Sequence, residues 1–156
     1  MEITEYEKKN EMELVFDSVS ENEGFARVAV AAFMTQMNPM LEEVADVKTA
    51  VSEAVTNSII HGYEEKEGKI RIFCCITGKK IYIEVEDHGV GIEDVKKAME
   101  PLYTTKPDED RSGMGFAFME AFMDEVEVES EPGKGTIVKM MKQTGDDGKT
   151  WTTHSL

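Results

Sequence analysis

Residues 53–61 read Glu53-Ala54-Val55-Thr56-Asn57-Ser58-Ile59-Ile60-His61. The pattern is helical. Glu53, Asn57 and His61 recur every fourth residue and share one side, and Val55, Ile59 and Ile60 are their apolar neighbours. A carboxylate and a carboxamide one turn apart are well suited to holding a hard cation and orienting a proton acceptor beside it. Mg²⁺ takes oxygen ligands and keeps several waters, so the Asn57 amide oxygen plus substrate phosphates is a reasonable set. Glu53 is then placed to take a proton from an attacking hydroxyl. Alone, the stretch reads equally well as the polar face of an ordinary helix.

Working outward, the chain divides into short elements. Glu13 to Val19 alternates apolar and polar residues and reads as a first strand. Ser20-Glu21-Asn22-Glu23 is a helix-start signal, and Phe25, Val28, Ala29, Ala32, Phe33 and Met37 follow at helical spacing. Asn38-Pro39 ends that helix. Glu42 to His61 is the second helix, with Gly62 expected as its C-cap. Lys69 to Thr77 and Lys80 to Glu86 are strands joined by a Gly78-Lys79 hairpin. A loop from Asp87 to Gly91 leads to a short helix over Ile92 to Met99, stopped by Pro101. Leu102 to Ser112 has no period and reads as a mobile loop, followed by a helix over Gly113 to Phe122. Val126 to Glu129 and Thr136 to Met140 are closing strands split by Pro132-Gly133-Lys134-Gly135. Hairpin-joined strands pair antiparallel and the helices must cover one face. The expected fold class is α/β: a two-layer sandwich with a mixed, mainly antiparallel sheet covered on one face by helices. Residues 1–142 read as a single domain and 143–156 as a polar, flexible tail.

Composition narrows the function classes. A chain of 156 residues fits one domain with a substantial core. Its net charge is −15, from 17 basic and 32 acidic residues. Nucleic acid is therefore not expected as a partner, because phosphate neutralisation needs clustered Lys and Arg. A bound nucleotide needs local compensation from a cation or backbone N–H groups. Cys74 and Cys75 are adjacent, so in a strand they point to opposite faces and do not pair. They fit a reducing cytoplasm. No apolar run approaches the ~20 residues of a membrane span, and Met1 to Asn10 has no apolar core of a signal peptide.

Three further segments carry chemistry. Asp87-His88-Gly89-Val90-Gly91-Ile92 directly follows a strand. An ionised carboxylate only accepts hydrogen bonds, so Asp87 suits an exocyclic amine such as that of adenine, while Gly89 and Gly91 let backbone approach a flat ligand. Ser112-Gly113-Met114-Gly115-Phe116 puts glycines at a helix start, where free N–H groups can meet phosphate. Gly133-Lys134-Gly135-Thr136 is a hairpin turn whose hydroxyl can reach a base. Singly, each also reads as plain turn structure.

In this order and spacing the four segments resemble the N box and the three glycine boxes of the Bergerat-fold ATP-binding family. That family includes histidine kinases, type II topoisomerases, heat-shock chaperone ATPases and mismatch-repair ATPases. Asn22 to Val28, Ser52 to Tyr63 and Arg111 to Phe116 closely resemble the anti-sigma F factors of spore-forming bacteria, over about residues 10 to 142. The resemblance implies an ATP/ADP- and Mg²⁺-dependent serine kinase that inhibits sporulation sigma factor F and phosphorylates a serine of an anti-anti-sigma factor. It also implies a cytoplasmic homodimer. Carried onto this chain, Glu53 is the general base and Asn57 the Mg²⁺ ligand. Asp87 reads adenine with Thr136, and Gly89 and Gly91 shape the base pocket. Gly113, Met114, Gly115 and Phe116 cradle phosphates. Thr104, Thr105 and Lys106 belong to a lid running to Arg111, and Arg27, Thr56 and Arg111 match partner-contacting positions. His88 fills a variable position, Phe116 stands where many relatives carry Leu, and His61 is taken as a helix-end residue near the site. Two other readings remain at this point: the catalytic domain of a histidine kinase, and a non-catalytic nucleotide-dependent binding module.

Overall fold

The computed structural model describes residues 10–100 and 115–145. The elements run β1 (Asn10–Asp17), α1 (Glu21–Met34), α2 (Leu41–Asn57), β2 (Lys69–Thr77), β3 (Lys80–Asp87), α3 (Val95–Ala98), α4 (Gly115–Phe122), β4 (Glu125–Glu131) and β5 (Gly135–Gln143). The five strands form one sheet in the order β1-β2-β3-β5-β4, and each of these pairings is antiparallel. No parallel pairing of the expected mixture occurs among the described residues. The hairpin β4–β5 inserts its second strand beside β3, which leaves β4 at the edge.

Alternation assigns the faces. Ile70, Ile72 and Cys74 of β2, Ile81, Ile83 and Val85 of β3, and Val138 and Met140 of β5 are buried beneath the helices. Val47, Ala50, Val51, Ala54 and Val55 form the matching stripe of α2. Each fully buried Val or Ile contributes about 1.5–3 kcal/mol. The opposite face holds polar residues and ion pairs such as Lys139–Glu129 and Arg71–Glu13, each worth about 0–1 kcal/mol. The helix-covered face therefore decides which way each strand is turned.

Several boundaries differ from the sequence reading. β1 lies earlier than Glu13 to Val19, because its ladder to β2 ends at the Asp17–Lys69 pair and Ser18 N–H turns to Gly68 O at 2.9 Å. Ser20 is the N-cap of α1, but its side chain makes no capping bond. Asn38, with φ 53, closes the turn that ends the first helical segment before Pro39. The helix expected over Ile92 to Met99 shrinks to Val95–Ala98. Ile92 N–H is held by Ser130 Oγ at 2.7 Å, and Asp94 caps the helix through Lys97 N–H at 3.1 Å.

Gly62 is not the left-handed C-cap expected of it. The α-helix passes at Ser58 into a π-helical turn, Ser58–Gly62, and Tyr63 caps it. The left-handed residues are Glu64 and Glu65. Gly62 is instead needed for space, because a Cβ there would lie 2.9 Å from the Asp87 carboxylate. β5 runs to Gln143, where the sequence reading places the start of the tail, and the next two residues are also held. Thr144 N–H and Oγ–H both donate to Lys79 O, at 2.7 and 3.0 Å, and Gly145 N–H donates to Glu43 of α2 at 3.0 Å.

Candidate functional site

The π-turn brings the end of α2 onto the end of β3. A π-turn carries an extra residue per hydrogen-bonded ring, and such bulges recur at functional sites. Here it sets the buried Ser58 against the buried Asp87, with Ser58 Oγ–H donating to Asp87 Oδ2 at 2.8 Å. Gly89 N–H donates to the other oxygen at 2.9 Å. Burial raises the Asp87 carboxyl above its ordinary pKa, opposed by the hydrogen bonds from Gly89 and Ser58 and by the nearby His88. Desolvation outweighs them.

The loop after Asp87 lies backbone to backbone on its neighbours. Val90 N–H donates to Gly62 O at 2.8 Å, and a Cβ on Gly89 would fall 2.0 Å from that same oxygen. Gly91 has φ +79, and a Cβ on it would meet Glu131 O at 2.2 Å. A side chain at Gly89 would push the loop off the π-turn, and one at Gly91 would push it off the edge strand β4.

Thr136 pairs with Asp87 across the β3–β5 ladder. Ser130 fixes its hydroxyl. Ser130 Oγ donates its one proton to Gly135 O at 2.8 Å and accepts from Ile92 N–H. Its remaining contact, to Thr136 Oγ1 at 2.8 Å, must therefore take the Thr136 proton. Thr136 is left as an acceptor beside Asp87.

Asp87, Thr136, Ser58, Gly62 and Gly91 line a cleft of about 620 Å³, together with Asn57, His61, Gly115 and Phe116. That volume lies in the ordinary range for a small-molecule site. Read back along α2 from Ser58, Asn57 comes next and Glu53 one turn further. Glu53 does not line the cleft itself but stands beside Asn57 at Gly115. A Cβ on Gly115 would lie 3.0 Å from Asn57 Nδ2, 3.2 Å from Asn57 Oδ1 and 3.4 Å from Glu53 Oε1. The bare glycine leaves amide and carboxylate side by side at the cleft's end. An amide oxygen and a carboxylate are hard oxygen donors of the kind Mg²⁺ takes, so these residues fit that ion. Among the described residues there is no group of three or more His, Cys, Asp or Glu able to hold a metal.

The structure thus gathers Asn57, Asp87, Gly91, Gly115, Phe116 and Thr136 around one cleft, with His61 on its wall; Glu53 reaches it only beside Asn57 at Gly115, and Gly89 adjoins it only through Asp87 and Gly62. Arg27 and Thr56 do not line it. Arg27 lies on α1, paired with Glu23 at 3.2 Å, and Glu23 also accepts the hydroxyl of Ser52 on α2. Thr104, Thr105, Lys106, Arg111, Gly113 and Met114 lie outside the described residues. Sequence reasoning misses Ser58 and Ser130. A signal for Ser130 exists: it continues the inward period of Val126 and Val128 with a polar side chain.

Comparison with known proteins agrees with this geometry. Residues 18–142 match the histidine kinase-like ATPase domain family. The chain is 62% identical over 141 residues to the anti-sigma F factor of Thermoanaerobacter sp. strain X514, covering 90% of this chain and 99% of that protein. It is 59% identical over 135 residues to the anti-sigma F factor of Clostridium acetobutylicum, covering 86% and 94%. The crystal structure of the RsbU and RsbW domains of a Mycobacterium tuberculosis protein shares the fold, with a TM-score of 0.64 at 19% identity, over 87% of this chain and 33% of that one. With the cleft, the order of its motifs and these likenesses in agreement, the chain belongs to the anti-sigma F factor family, built on a histidine kinase-like ATPase domain.

Proposed function

We propose that this chain is an ATP-dependent protein-serine kinase and anti-sigma factor, which holds sporulation sigma factor F inactive and phosphorylates a serine of an anti-anti-sigma factor. The observation that carries the reading is the single cleft running from a buried, amine-accepting carboxylate at Asp87 to the Asn57–Glu53 pair beside Gly115. A nucleotide laid along it has its base at Asp87 and its phosphates at Asn57 and Glu53. The names of its relatives support the sigma-factor part of the proposal.

Phosphoryl transfer asks the protein for position and charge neutralisation more than for covalent chemistry. Asp87 accepts a hydrogen bond from the adenine amine, with Thr136 as second acceptor. Asn57 holds Mg²⁺, which when bound offsets phosphate charge that this acidic chain does not. Glu53 takes the proton of the partner's serine hydroxyl. The serine oxygen then bonds to the γ-phosphorus as its bond to the β,γ-bridging oxygen breaks, releasing ADP. Gly113, Met114, Gly115 and Phe116 line the phosphate end, and a lid from Thr104 through Thr105 and Lys106 to Arg111 closes it. Arg27, Thr56 and Arg111 meet the protein partners. The protein works as a cytoplasmic homodimer, its single domain closing just past β5 with a polar segment beyond. No helix among the described residues is long and apolar enough to cross a membrane.

The test is incubation with labelled ATP and the anti-anti-sigma protein, followed by mapping of the phosphate. Label on one partner serine is the expected result. Glu53→Gln is expected to bind ATP normally and transfer nothing. Transfer at the wild-type rate by that variant removes Glu53 as the base. Label on a histidine of this chain returns the histidine-kinase reading.

A further inference from the structure

Tyr63 is not among the residues assigned above, yet its hydroxyl joins the two strands that present Asp87. It donates to Lys69 O at 2.5 Å, at the start of β2, and accepts from His88 N–H at 2.7 Å, just past the end of β3. In the ladder, the next residue of β2, Ile70, pairs with Asp87 itself. The hydroxyl has one proton, and Lys69 O takes it, so only a lone pair is left for His88. The peptide N–H so held is the one between Asp87 and His88. The following N–H, from Gly89, binds the Asp87 carboxylate at 2.9 Å.

The placement of Tyr63 is over-determined. It caps the π-turn through its own N–H to Ser58 O at 2.8 Å. Its ring fills the space over Gly68, where a Cβ would fall 2.4 Å from Tyr63 Cε1. Two successive non-glycine residues, Glu64 and Glu65, follow it with φ of 54 and 64. Backbone of that kind persists only where surrounding contacts hold it, and here Glu65 N–H is tied to Ile59 O at 2.8 Å and Lys66 N–H to Tyr63 O at 2.9 Å.

We propose that Tyr63 is a positioning residue for purine selectivity: its hydroxyl fixes the Asp87–His88 peptide, and so the orientation in which Asp87 meets the 6-amino group of the base. The inference rests on the adenine-nucleotide reading above. It goes beyond that reading by assigning a side chain that need not touch the nucleotide.

The experiment compares ADP with inosine diphosphate, whose base has a carbonyl where adenine has its amine, by titration calorimetry on wild type and Tyr63→Phe. Removing the hydroxyl breaks both of its hydrogen bonds and releases the Asp87–His88 peptide, which is expected to weaken ADP by about fivefold and leave inosine diphosphate unchanged, so that selectivity falls by the same factor. Equal weakening of both nucleotides marks Tyr63 as merely structural and overturns the proposal, as does unchanged selectivity. Amide exchange on the empty proteins is the second measurement. The His88 amide is protected in wild type and fast in the variant, and equal rates overturn the proposal without any nucleotide. A wild type that does not prefer ADP over inosine diphosphate defeats the adenine reading itself, and the role of Tyr63 with it.

Discussion

Asp87 carries a carboxyl that burial raises above its ordinary pKa, against hydrogen bonds from Gly89 and Ser58 that pull it down. Two consequences of opposite sign follow. The folded value exceeds the unfolded one, so protonation favours the folded state. The contribution of this group to stability is fully present below the unfolded pKa and is lost as pH rises through the folded one. Ligand binding runs the other way, since only the ionised form accepts from the base with both oxygens. On acidification from about pH 7 to about pH 4, ADP affinity is expected to fall before an exposed aspartate would titrate. Calorimetry across that range checks it. Asp87→Asn is expected to lower ADP affinity at neutral pH by tenfold or more, the scale of about 1.5–3 kcal/mol for a hydrogen bond to a charged group. It should also flatten the pH dependence, and a variant with the wild-type pH profile assigns the titration to another group. At Cys74 burial acts alike, pushing the thiol up to about 12; Cys75 is also buried, and neither forms a disulfide. Thiolate is the reactive form. Iodoacetamide at neutral pH is therefore expected to spare both cysteines in the folded protein and modify both after unfolding, as mass spectrometry would show.

Among the elements, those with a period are legible in the sequence and those made by contact are not. The alternation in Lys80–Asp87 and the apolar stripe of Leu41–Asn57 each follow from one repeat, and strand and helix lie where those repeats put them. The same period places Glu53 and Asn57 on one side of α2, so that part of the site can be read directly. The π-turn at Ser58–Gly62 has no such period. It is stabilised by what it touches: Asp87, Gly89 and Val90, all at least 25 positions away in the chain. Gly62 therefore reads as a cap, although its role is to make room. Ser58 escapes notice for the same reason, because a serine is ordinary until the strand opposite it is known; Ser130 is betrayed only by its place in the inward period of Val126 and Val128. A matched pair of glycine variants separates conformation from contact. Gly78 has φ +60 with nothing within 4 Å of its missing Cβ. Gly78→Ala is expected to cost about 1 kcal/mol of stability from left-handed strain alone, with nucleotide binding unchanged. Gly89→Ala forces a Cβ into Gly62 O and is expected to abolish nucleotide binding and to lower the melting temperature further than Gly78→Ala does. Should Gly89→Ala bind ADP as wild type does, the loop is not part of the site.

At the scale of the whole molecule, charge is distributed against the ligand proposed for it. The net charge is −15. The uncovered face of the sheet carries much of it: Glu125, Glu127, Glu129 and Glu131 alternate along the edge strand β4. Charge along an edge strand also blocks pairing with another chain's edge. Arg71 ties Glu13, Glu84 and Glu86 together on that face, and Lys139 takes Glu129. The lining of the cleft is acidic as well, with Glu64, Glu93, Asp94 and Asp87 against Lys97 among the described residues. An approaching nucleotide thus meets a repulsive field at long range before it reaches the backbone N–H groups and cation proposed to hold its phosphates. Screening acts mainly on the long-range part, because the Debye length shrinks from about 30 Å at 0.01 M salt to about 8 Å at 0.15 M. The association rate of a fluorescent ADP analogue, measured by stopped flow at fixed free Mg²⁺, is expected to rise severalfold over that interval. Most nucleotide sites steered by positive charge behave oppositely. A rate that falls with salt instead means that local cations, not the molecule's overall charge, govern the encounter, and Lys106 and Arg111, proposed above for a lid, are then the residues to neutralise next.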